Sequence, residues 1–526
     1  MKKMLNIPLN RVEGDLEVSA EIENGMVSDA RCSGVMYRGF EKMLLGRGAM
    51  DGLVLTPRIC GICTTAHLTA ASSALDMIAG ITLPPDAVRI RNLALMTEYI
   101  QSDMRHGILM FAADFANPVF KKCKLYEEAV QRYEPLKGSA VIEVIRETRR
   151  VLGIIAIIGG QWPHSTYMVP GGIASIPSLA DLLQCRLLLK QYRNWYEQKI
   201  LGCSIERWNE VKTVRELDIW LAENRAHQNS EIGFYIRFAR DIGLDKIGKG
   251  HGNFISFGGL DMPHDTKVEI PKDRTSFIPA GFFRSGNTET SPEKYAAIRR
   301  FIPSGFFKTG QTGQPDTRLE EFDQEKIAEH VAFSWFKDYE GGLHPFKGET
   351  KPYATGREGA KYSWAKAPRY NGFPAETGPL AEMLVAGNPL FADLIAQHGP
   401  SVFSRELARL VRPAKMIPAM ETWLSEITPE GNFYISPGKI EQGQGFGLTE
   451  VTRGALGHWV RIAKGVIEHY QIITPTAWNA SPKDSAGIRG PMEEALVGTE
   501  IRDKSNPVEL GIIVRSFDAC LVCTVH

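Results

Sequence analysis

Apolar and polar residues alternate most regularly near the start of the chain. Apolar side chains occupy every second position from Leu16 to Ile22, with Glu and Ser between them. Asn24-Gly25 follows, and then a second apolar pair, Met26-Val27. Alternation on both sides of an Asn-Gly dipeptide is typical of a half-buried β-hairpin with a primed two-residue turn.

Helical spacing of apolar residues starts after Pro84-Pro85 and predicts one long helix from Asp86 to about Phe115. Asp103, His106 and Asp114 would share nearly one face of it, because eleven residues make almost three turns. Similar spacing predicts further helices from about Ala140 to Ile158, from Leu179 to Leu201, onward from near Gly378, and from Val451 to Tyr470.

Glycine, proline and aromatic residues dominate from about Gly248 to Lys351, which indicates an insertion rich in strands and loops. The pattern therefore predicts an α+β fold that is predominantly helical. We divide it into residues 1–85, an N-terminal β region; 86–247, a core of long helices; 248–377, the insertion; and 378–526, a helical C-terminal part. These four stretches are expected to form one integrated unit.

Composition narrows the function classes. The chain has 526 residues, 43% of them hydrophobic, which is enough for a large core. Lys plus Arg equals Asp plus Glu, 61 each, so charge gives no argument for nucleic acid or an anionic membrane. The best apolar run, Val151 to Ile158, is far shorter than a membrane span. No apolar signal core follows Met1, so the cytoplasm is the expected compartment.

Cysteine spacing supplies the candidate chemistry. Of 8 cysteines, Cys60 with Cys63 and Cys520 with Cys523 form Cys-x-x-Cys pairs, and thiolates at this spacing can point at one metal. We therefore expect a four-thiolate metal site built from the two ends of the chain. Spacing alone leaves structural zinc as the leading alternative, with an iron–sulfur cluster or a redox dithiol behind it. Two features count against zinc: nearly the whole chain separates the two cysteine pairs, and charged residues flank both of them.

The two cysteine segments resemble the signatures of one family, the large, catalytic subunits of nickel–iron hydrogenases. That family carries Arg-x-Cys-Gly-x-Cys near its N-terminus, as in Arg58 to Cys63, and Asp-Pro-Cys-x-x-Cys-x-x-His at its mature C-terminus, as in Asp518 to His526. Ala519 replaces the usual proline. Three further segments match family patterns: Arg11 to Asp15, Arg38 to Glu41, and Ser102 to His106. The first and the third each have aspartate in place of a histidine. The resemblance covers essentially the whole chain and is closest to uptake-type enzymes, including those of cyanobacteria.

The resemblance implies a nickel–iron centre whose iron carries carbon monoxide and cyanide. Cys60 and Cys520 would be terminal nickel ligands, and Cys63 and Cys523 would bridge nickel and iron. A magnesium ion would be bound nearby by Glu41, His526 and the backbone of Ile472. A chain that stops at His526 fits a family in which an endopeptidase removes a precursor tail after this histidine.

Other matched positions imply roles around the metals. Arg453 would lie over the open metal position, fixed by Asp114 and Asp518. Thr476, after Pro475, would face a cyanide. Without the resemblance, Arg453 would be read as an ordinary helix-terminal arginine, and Thr476 as a turn or N-cap residue.

Two more positions follow the same pattern. His67 would orient a cysteine sulfur from the next helical turn, and Glu13 would relay protons from beside Cys520. Taken alone, His67 would more often be a core histidine and Glu13 a surface acid.

The implied activity is reversible heterolytic cleavage of H2 into protons and electrons. Too few clustered cysteines remain in this chain to bind iron–sulfur clusters, so an iron–sulfur small subunit is the expected partner. That partner could carry an export signal for both subunits. The heterodimers could also assemble into a higher oligomer. Two alternatives stay open: a hydrogen sensor with slow turnover, and a scaffold like the respiratory-complex subunit of this fold. That scaffold has lost the cysteine pairs, which this chain retains.

Overall fold

The computed structural model describes residues 3–272, 274–285, 317–356 and 359–526. Its strands are β1 Lys3–Leu9, β2 Leu16–Glu23, β3 Met26–Gly34, β4 Met168–Val169, β5 Gly172–Ile173, β6 Asn253–Asp261, β7 Ser276–Ser285, β8 Thr317–Glu320, β9 Ile327–His330, β10 Ala367–Tyr370, β11 Gly443–Val451, β12 Gly454–Ala463 and β13 Val466–Ile473. Its α-helices are α1 Phe40–Leu44, α2 Asp51–Leu55, α3 Thr64–Ala79, α4 Pro85–Arg105, α5 Tyr126–Tyr133, α6 Ser139–Val151, α7 Gly153–Gly159, α8 Leu179–Trp195, α9 Ile205–Trp208, α10 Val214–Glu223, α11 Arg225–Asn229, α12 Glu231–Asp241, α13 Pro379–Val385, α14 Pro389–His398, α15 Val402–Glu426, α16 Pro475–Asn479, α17 Pro491–Leu496, α18 Val508–Ser516 and α19 Leu521–Thr524.

The N-terminal hairpin is confirmed. β1, β2 and β3 form an antiparallel sheet, and the apolar positions of β2 are buried while the residues between them are partly exposed. Asn24 and Gly25 have φ of 51° and 83°, the positive values that a primed turn needs. This sheet carries the segment that leads from Arg11 to Asp15.

The long helix is predicted correctly only as far as Arg105. Residues His106–Phe111 form a π-helical segment, and Ala112–Ala116 form a 3₁₀ helix. These changes alter the rotation per residue, so the regular α-helical spacing from which a shared face of Asp103, His106 and Asp114 was predicted does not hold as far as Asp114. α4 itself packs along α15, and both helices are buried on most sides.

The prediction of a helix from Val451 to Tyr470 is wrong. β11, β12 and β13 form an antiparallel sheet there, with a tight turn at Lys464-Gly465, whose φ angles are 53° and 74°. β12 is buried on both faces, so its sequence lacks the alternation that would identify a strand. Arg453 therefore lies in the turn between β11 and β12 and does not end a helix.

Close backbone contact places α3 on this sheet. A Cβ atom at Gly447 of β11 would lie 1.9 Å from the carbonyl oxygen of Ala70 in α3. Glycine is required there because the helix backbone lies directly against the strand. This contact fixes α3, which begins immediately after Cys63.

The described part of the predicted insertion contains β6 to β10 and no α-helix, as expected for a region rich in strands and loops. Residues 286–316 of that prediction lie outside the described residues. Among the described helices, none has by itself the length and hydrophobicity of a membrane span; α13 and α14 meet those criteria only together, with a bend of 107° between them.

Candidate metal centre

The two cysteine pairs meet in the interior. The four Sγ atoms of Cys60, Cys63, Cys520 and Cys523 all lie within 4.8 Å of one another. Cys520 Sγ is 3.6 Å from Cys60 Sγ and 3.0 Å from Cys523 Sγ, and all four side chains are buried free thiols. The sequence-based expectation that the two ends of the chain converge on one set of sulfur donors agrees with this geometry.

Backbone pairing between the chain ends holds these sulfurs in place. Glu13 donates its N–H to the carbonyl oxygen of Ala519 at 3.2 Å and accepts at its own oxygen from Leu521 N–H at 2.6 Å. Gly14 follows with φ 84°, and a Cβ atom there would lie 2.9 Å from Val522. The glycine thus permits the close approach that brings the Glu13 segment beside Cys520.

Arg453 lies against the sulfurs. Its Nη1 is 3.0 Å from Cys63 Sγ, and its Nε donates to Oδ1 and to the carbonyl oxygen of Asp518, both at 3.0 Å. Burial alone would lower the pKa of Arg453, but attraction to Asp518 and the cysteine sulfurs raises it. A permanent positive charge is therefore fixed beside Cys63.

Asp518 also pairs with His106, a residue to which the sequence analysis assigned no role. His106 Nδ1 is 2.8 Å from Asp518 Oδ1, and His106 Nε2 lies 2.7 Å from the carbonyl oxygen of Arg515. Burial would raise the pKa of Asp518, but Arg453 and His106 hold it well below its usual range. The signal for His106 was present in the sequence, as the histidine of the Ser102 to His106 match.

Asp114 does not pair with Arg453 in the described contacts, contrary to the sequence-based assignment. Its Oδ2 accepts from Arg515 Nη1 at 2.6 Å, and its Oδ1 contacts Arg11. The prediction assumed a continuous α-helix, whereas His106–Phe111 form a π-helical segment and Ala112–Ala116 form a 3₁₀ helix. His106 contacts Asp518 from that segment instead.

Thr476 lies at the start of α16, directly after Pro475, and contacts the cysteine backbone. Its Oγ1 accepts a hydrogen bond from Cys520 N–H at 3.0 Å. Because the oxygen is the acceptor here, the hydroxyl proton remains available to another acceptor.

His67 belongs to a buried chain of hydrogen bonds. Its Nδ1 is 3.1 Å from His458 Nε2, and His458 Nδ1 is 2.9 Å from the Tyr470 hydroxyl. Burial lowers the pKa of His67 to about 3, so its ring is neutral. The structure records no hydrogen bond from His67 to a cysteine sulfur among the described residues. Sequence reasoning missed His458 because it falls in the segment taken for a helix.

A cavity of about 140 Å³ lies beside this group and is lined by Glu13, His106, Arg453 and Asp518, among others. Burial raises the pKa of Glu13; the Arg453 charge opposes this rise and Asp518 adds to it. Burial thus favours the protonated form of Glu13 more than it would be favoured in an exposed carboxyl.

The residues matched to magnesium also meet. Glu41 Oε1 is 3.2 Å from His526 Nε2 and accepts from the Ile472 N–H at 2.9 Å, so the Ile472 contact recorded here is through nitrogen and not through its carbonyl. Lys366 Nζ lies 3.3 Å from Glu41 Oε2 and 3.8 Å from Glu329 Oε2. Glu329 Oε2 is buried without a hydrogen bond among the described residues, beside a cavity of about 10 Å³.

Comparisons with known proteins agree with the site. The sequence model of the nickel-dependent hydrogenase family matches residues 38–132 and 243–526. The chain is 31% identical to the large subunit of the periplasmic [NiFeSe] hydrogenase of Desulfomicrobium baculatum, over 99% of this chain and 94% of that protein. It is 27% identical to the uptake hydrogenase large subunit of Rhodobacter capsulatus, over 100% and 95% of the two chains.

Solved structures give the same result for the fold. The [NiFeSe] hydrogenase of Dm. baculatum superposes with a TM-score of 0.79 at 30% identity, and that of D. vulgaris Hildenborough with 0.78 at 28%; both matches cover the whole of each chain. With the family matched over most of its length and four buried cysteines at its centre, this chain belongs to the nickel-dependent hydrogenase family, as a large subunit.

Proposed function

We propose that this chain is the catalytic subunit of an uptake hydrogenase, which cleaves H2 heterolytically and passes the electrons to a partner subunit. The observation that carries the proposal is the convergence of four buried, unlinked thiols from the two ends of the chain beside a buried guanidinium. The sensor alternative is not favoured, because the relatives compared above are named as uptake and periplasmic hydrogenases.

The donor set fits a nickel–iron centre, since soft thiolates suit both metals. We assign Cys60 and Cys520 as terminal nickel ligands, and Cys63 and Cys523 as bridging ligands. When bound, the centre, with carbon monoxide and cyanide on its iron, supplies the Lewis acidity and the electron-accepting capacity that H2 cleavage needs. Structural zinc would also fit four thiolates, but a closed structural site has no use for a charged guanidinium and a cavity at its side.

Arg453 is assigned to the reacting side of the site. Asp518 fixes its Nε and Cys63 Sγ contacts its Nη1, while Nη2 has no hydrogen bond among the described contacts. A held guanidinium with a free N–H can stabilise negative charge that develops during cleavage, without reorganising first.

Glu13 is assigned as the carboxyl that carries the proton away. Its backbone pairs with the chain on both sides of Cys520, and its side chain lines the 140 Å³ cavity. A carboxyl whose pKa is raised by burial can accept a proton from a neighbouring thiol and release it again.

Thr476 and Pro475 are assigned to the cyanide ligands. The hydroxyl proton that remains free on Thr476 can be donated to a cyanide nitrogen, and Pro475 starts the helix that presents it. His67 is assigned as a neutral, buried support behind the cysteines, held by His458.

We assign magnesium to the cluster around Glu41. Two carboxylates and an imidazole surround a cavity of about the size of one small ion, and one carboxylate oxygen there lacks a partner. Such a set of oxygen donors with one histidine can bind a divalent cation, and Lys366 would then share Glu41 with it.

A separate iron–sulfur subunit is the proposed electron acceptor. The four remaining cysteines make unrelated contacts and offer no joint ligand set: Cys123 Sγ donates to Asp241, Cys203 Sγ accepts from Trp220, and Cys32 and Cys185 are packed in the core. We further propose maturation by a C-terminal endopeptidase and a cytoplasmic location. A higher oligomer of heterodimers would be compatible with this arrangement.

Elemental analysis with infrared spectroscopy tests the proposal. We expect one nickel and one iron per large subunit, carbonyl and cyanide bands, and one magnesium that is lost in His526→Ala. Zinc as the only metal in active protein, or the absence of both kinds of band, would refute the nickel–iron assignment. An unchanged magnesium content in His526→Ala would refute the magnesium assignment alone.

A further inference from the structure

A second cavity, of about 500 Å³, opens on another part of the molecule. It lies between α9, α14, α15 and the loop that joins β6 to β7, and it shares no lining residue with the cavity beside the cysteines. Trp208, Phe277 and Phe391 give it aromatic walls. Its volume lies within the range of small-molecule sites, and its lining combines polar and apolar surface in similar amounts.

Positive charge distinguishes this cavity. Four basic residues line it, namely Lys212, Lys267, Arg274 and Lys415. Glu269 is the one acid in the lining, and the structure records no ion pair for any of the four cations among the described residues. Among the described residues, Arg274 donates to one acceptor, the carbonyl oxygen of Ala386, at 3.3 Å. The excess of cations predicts attraction for an anion.

Lys415 is the most constrained of the four. Its ammonium lies 5.0 Å from the centre of the Phe277 ring, and no carboxylate of the described residues is in contact with it. Burial lowers its pKa to about 8, attraction to Glu382 opposes this, and Arg274 lowers it further. Three residues earlier on the same helix, Arg412 is buried with two carboxylates. A partly buried cation that no carboxylate contacts among the described residues gains a partner from an incoming anion.

We propose that this cavity binds an organic anion: a carboxylate or phosphate head on Lys415 and Arg274, and an apolar body against Trp208, Phe277 and Phe391. A neutral amphiphile would leave the cations without a partner, and a cation would be repelled. An inorganic anion would leave the aromatic walls in water. The site therefore selects a molecule that has both parts.

Isothermal titration calorimetry of the metal-loaded enzyme with its small subunit tests this, with decanoate as the probe. We expect saturable binding in the range of about 10–100 µM, and at least roughly tenfold weaker binding in Lys415→Met and Arg274→Gln, since each removes a charged hydrogen-bond donor. Methionine keeps the apolar stem of Lys415, so packing on Phe277 is retained. Glu269→Gln should tighten binding.

Lys190→Met is the matched control, because Lys190 is an exposed lysine that does not line the cavity. The affinity of this variant for decanoate should equal that of the wild type. No saturable heat with decanoate would overturn the proposal. Decanol binding as tightly as decanoate would refute the role of the cations, and inorganic phosphate binding as tightly would refute the role of the aromatic walls. Equal affinity in wild type and both cation variants would place the binding elsewhere.

Discussion

Two buried arginines, Arg412 and Arg453, meet at the turn between β11 and β12 but differ in how many of their nitrogens have protein partners. Arg412 is fully enclosed: Nε and Nη2 bind both oxygens of Asp103 at 2.8 and 2.6 Å, and Nη1 binds Glu382 at 2.5 Å. Its Nη2 also donates to the carbonyl oxygen of Thr452, the residue before Arg453. Arg453 has one carboxylate partner, one sulfur neighbour and a free Nη2 among the described contacts.

The difference separates a supporting arginine from a reacting one. All three nitrogens of Arg412 have protein acceptors, so the surrounding protein holds the whole guanidinium in place. Arg453 lines a cavity, and its Nη2 has no hydrogen bond among the described contacts, so this nitrogen is available to a ligand. The first arginine holds the backbone from which the second one extends.

The largest expected effect is on stability, in Arg412→Met. Removing the guanidinium leaves Asp103 and Glu382 buried without their partner, which typically costs about 3–5 kcal/mol. Urea denaturation and the yield of assembled enzyme measure it. A loss below about 1 kcal/mol would break the comparison, because Arg412 would then not be a supporting residue.

Arg453→Lys should show the reverse pattern. Lysine keeps the charge but not the planar fork, so turnover should fall by about 100-fold or more while metal content and urea stability stay near wild type. Dye-linked H2 oxidation, together with nickel analysis, measures both. Lowered stability with near-normal turnover per folded molecule would make Arg453 a second supporting arginine.

Glu13→Gln tests the cavity beside Arg453, and its effect on turnover should be no larger than that of Arg453→Lys. Glutamine keeps the shape but cannot carry the proton, so turnover and exchange of hydrogen isotopes with solvent should both fall by roughly 100-fold. Conversion between ortho- and para-hydrogen releases no proton to water and should persist.

Asp15→Asn is the matched control for Glu13→Gln, because Asp15 is exposed on the same segment, and we expect a milder effect. Normal isotope exchange with solvent in Glu13→Gln would mean that the proton leaves by another route. His106 and Asp518 line the same cavity and would then be the next groups to test.

The fold was predictable from sequence where the information is local. The β2–β3 hairpin has alternation and an Asn-Gly turn within twelve residues. The β12–β13 hairpin was misread because burial on both faces removes the alternation, which left Lys464-Gly465 as the only turn signal. The helical spacing from Val451 to Tyr470 was therefore a coincidence within strands, the central one of which is almost entirely buried.

The site was predictable where residues form a motif. The four cysteines follow from two short signatures, whereas Arg412 pairs with Asp103 across a sequence separation of 309 residues and belongs to no motif. Asp114 was placed wrongly because nothing in the sequence marks the π-helical segment before it. Sequence motifs identify the residues that contact the ligand. Pairs of residues that support the site from far apart in the sequence are found only in the three-dimensional structure.

The pairing of the chain ends has a consequence for synthesis. Cys60 and Cys520 are separated by 460 residues, nearly the whole chain. At about 5–20 residues per second, a ribosome needs roughly 20–90 s to add the second pair after the first. Throughout that interval only the first cysteine pair exists, so a metal centre that needs all four sulfurs cannot form until Cys520 and Cys523 have been synthesised.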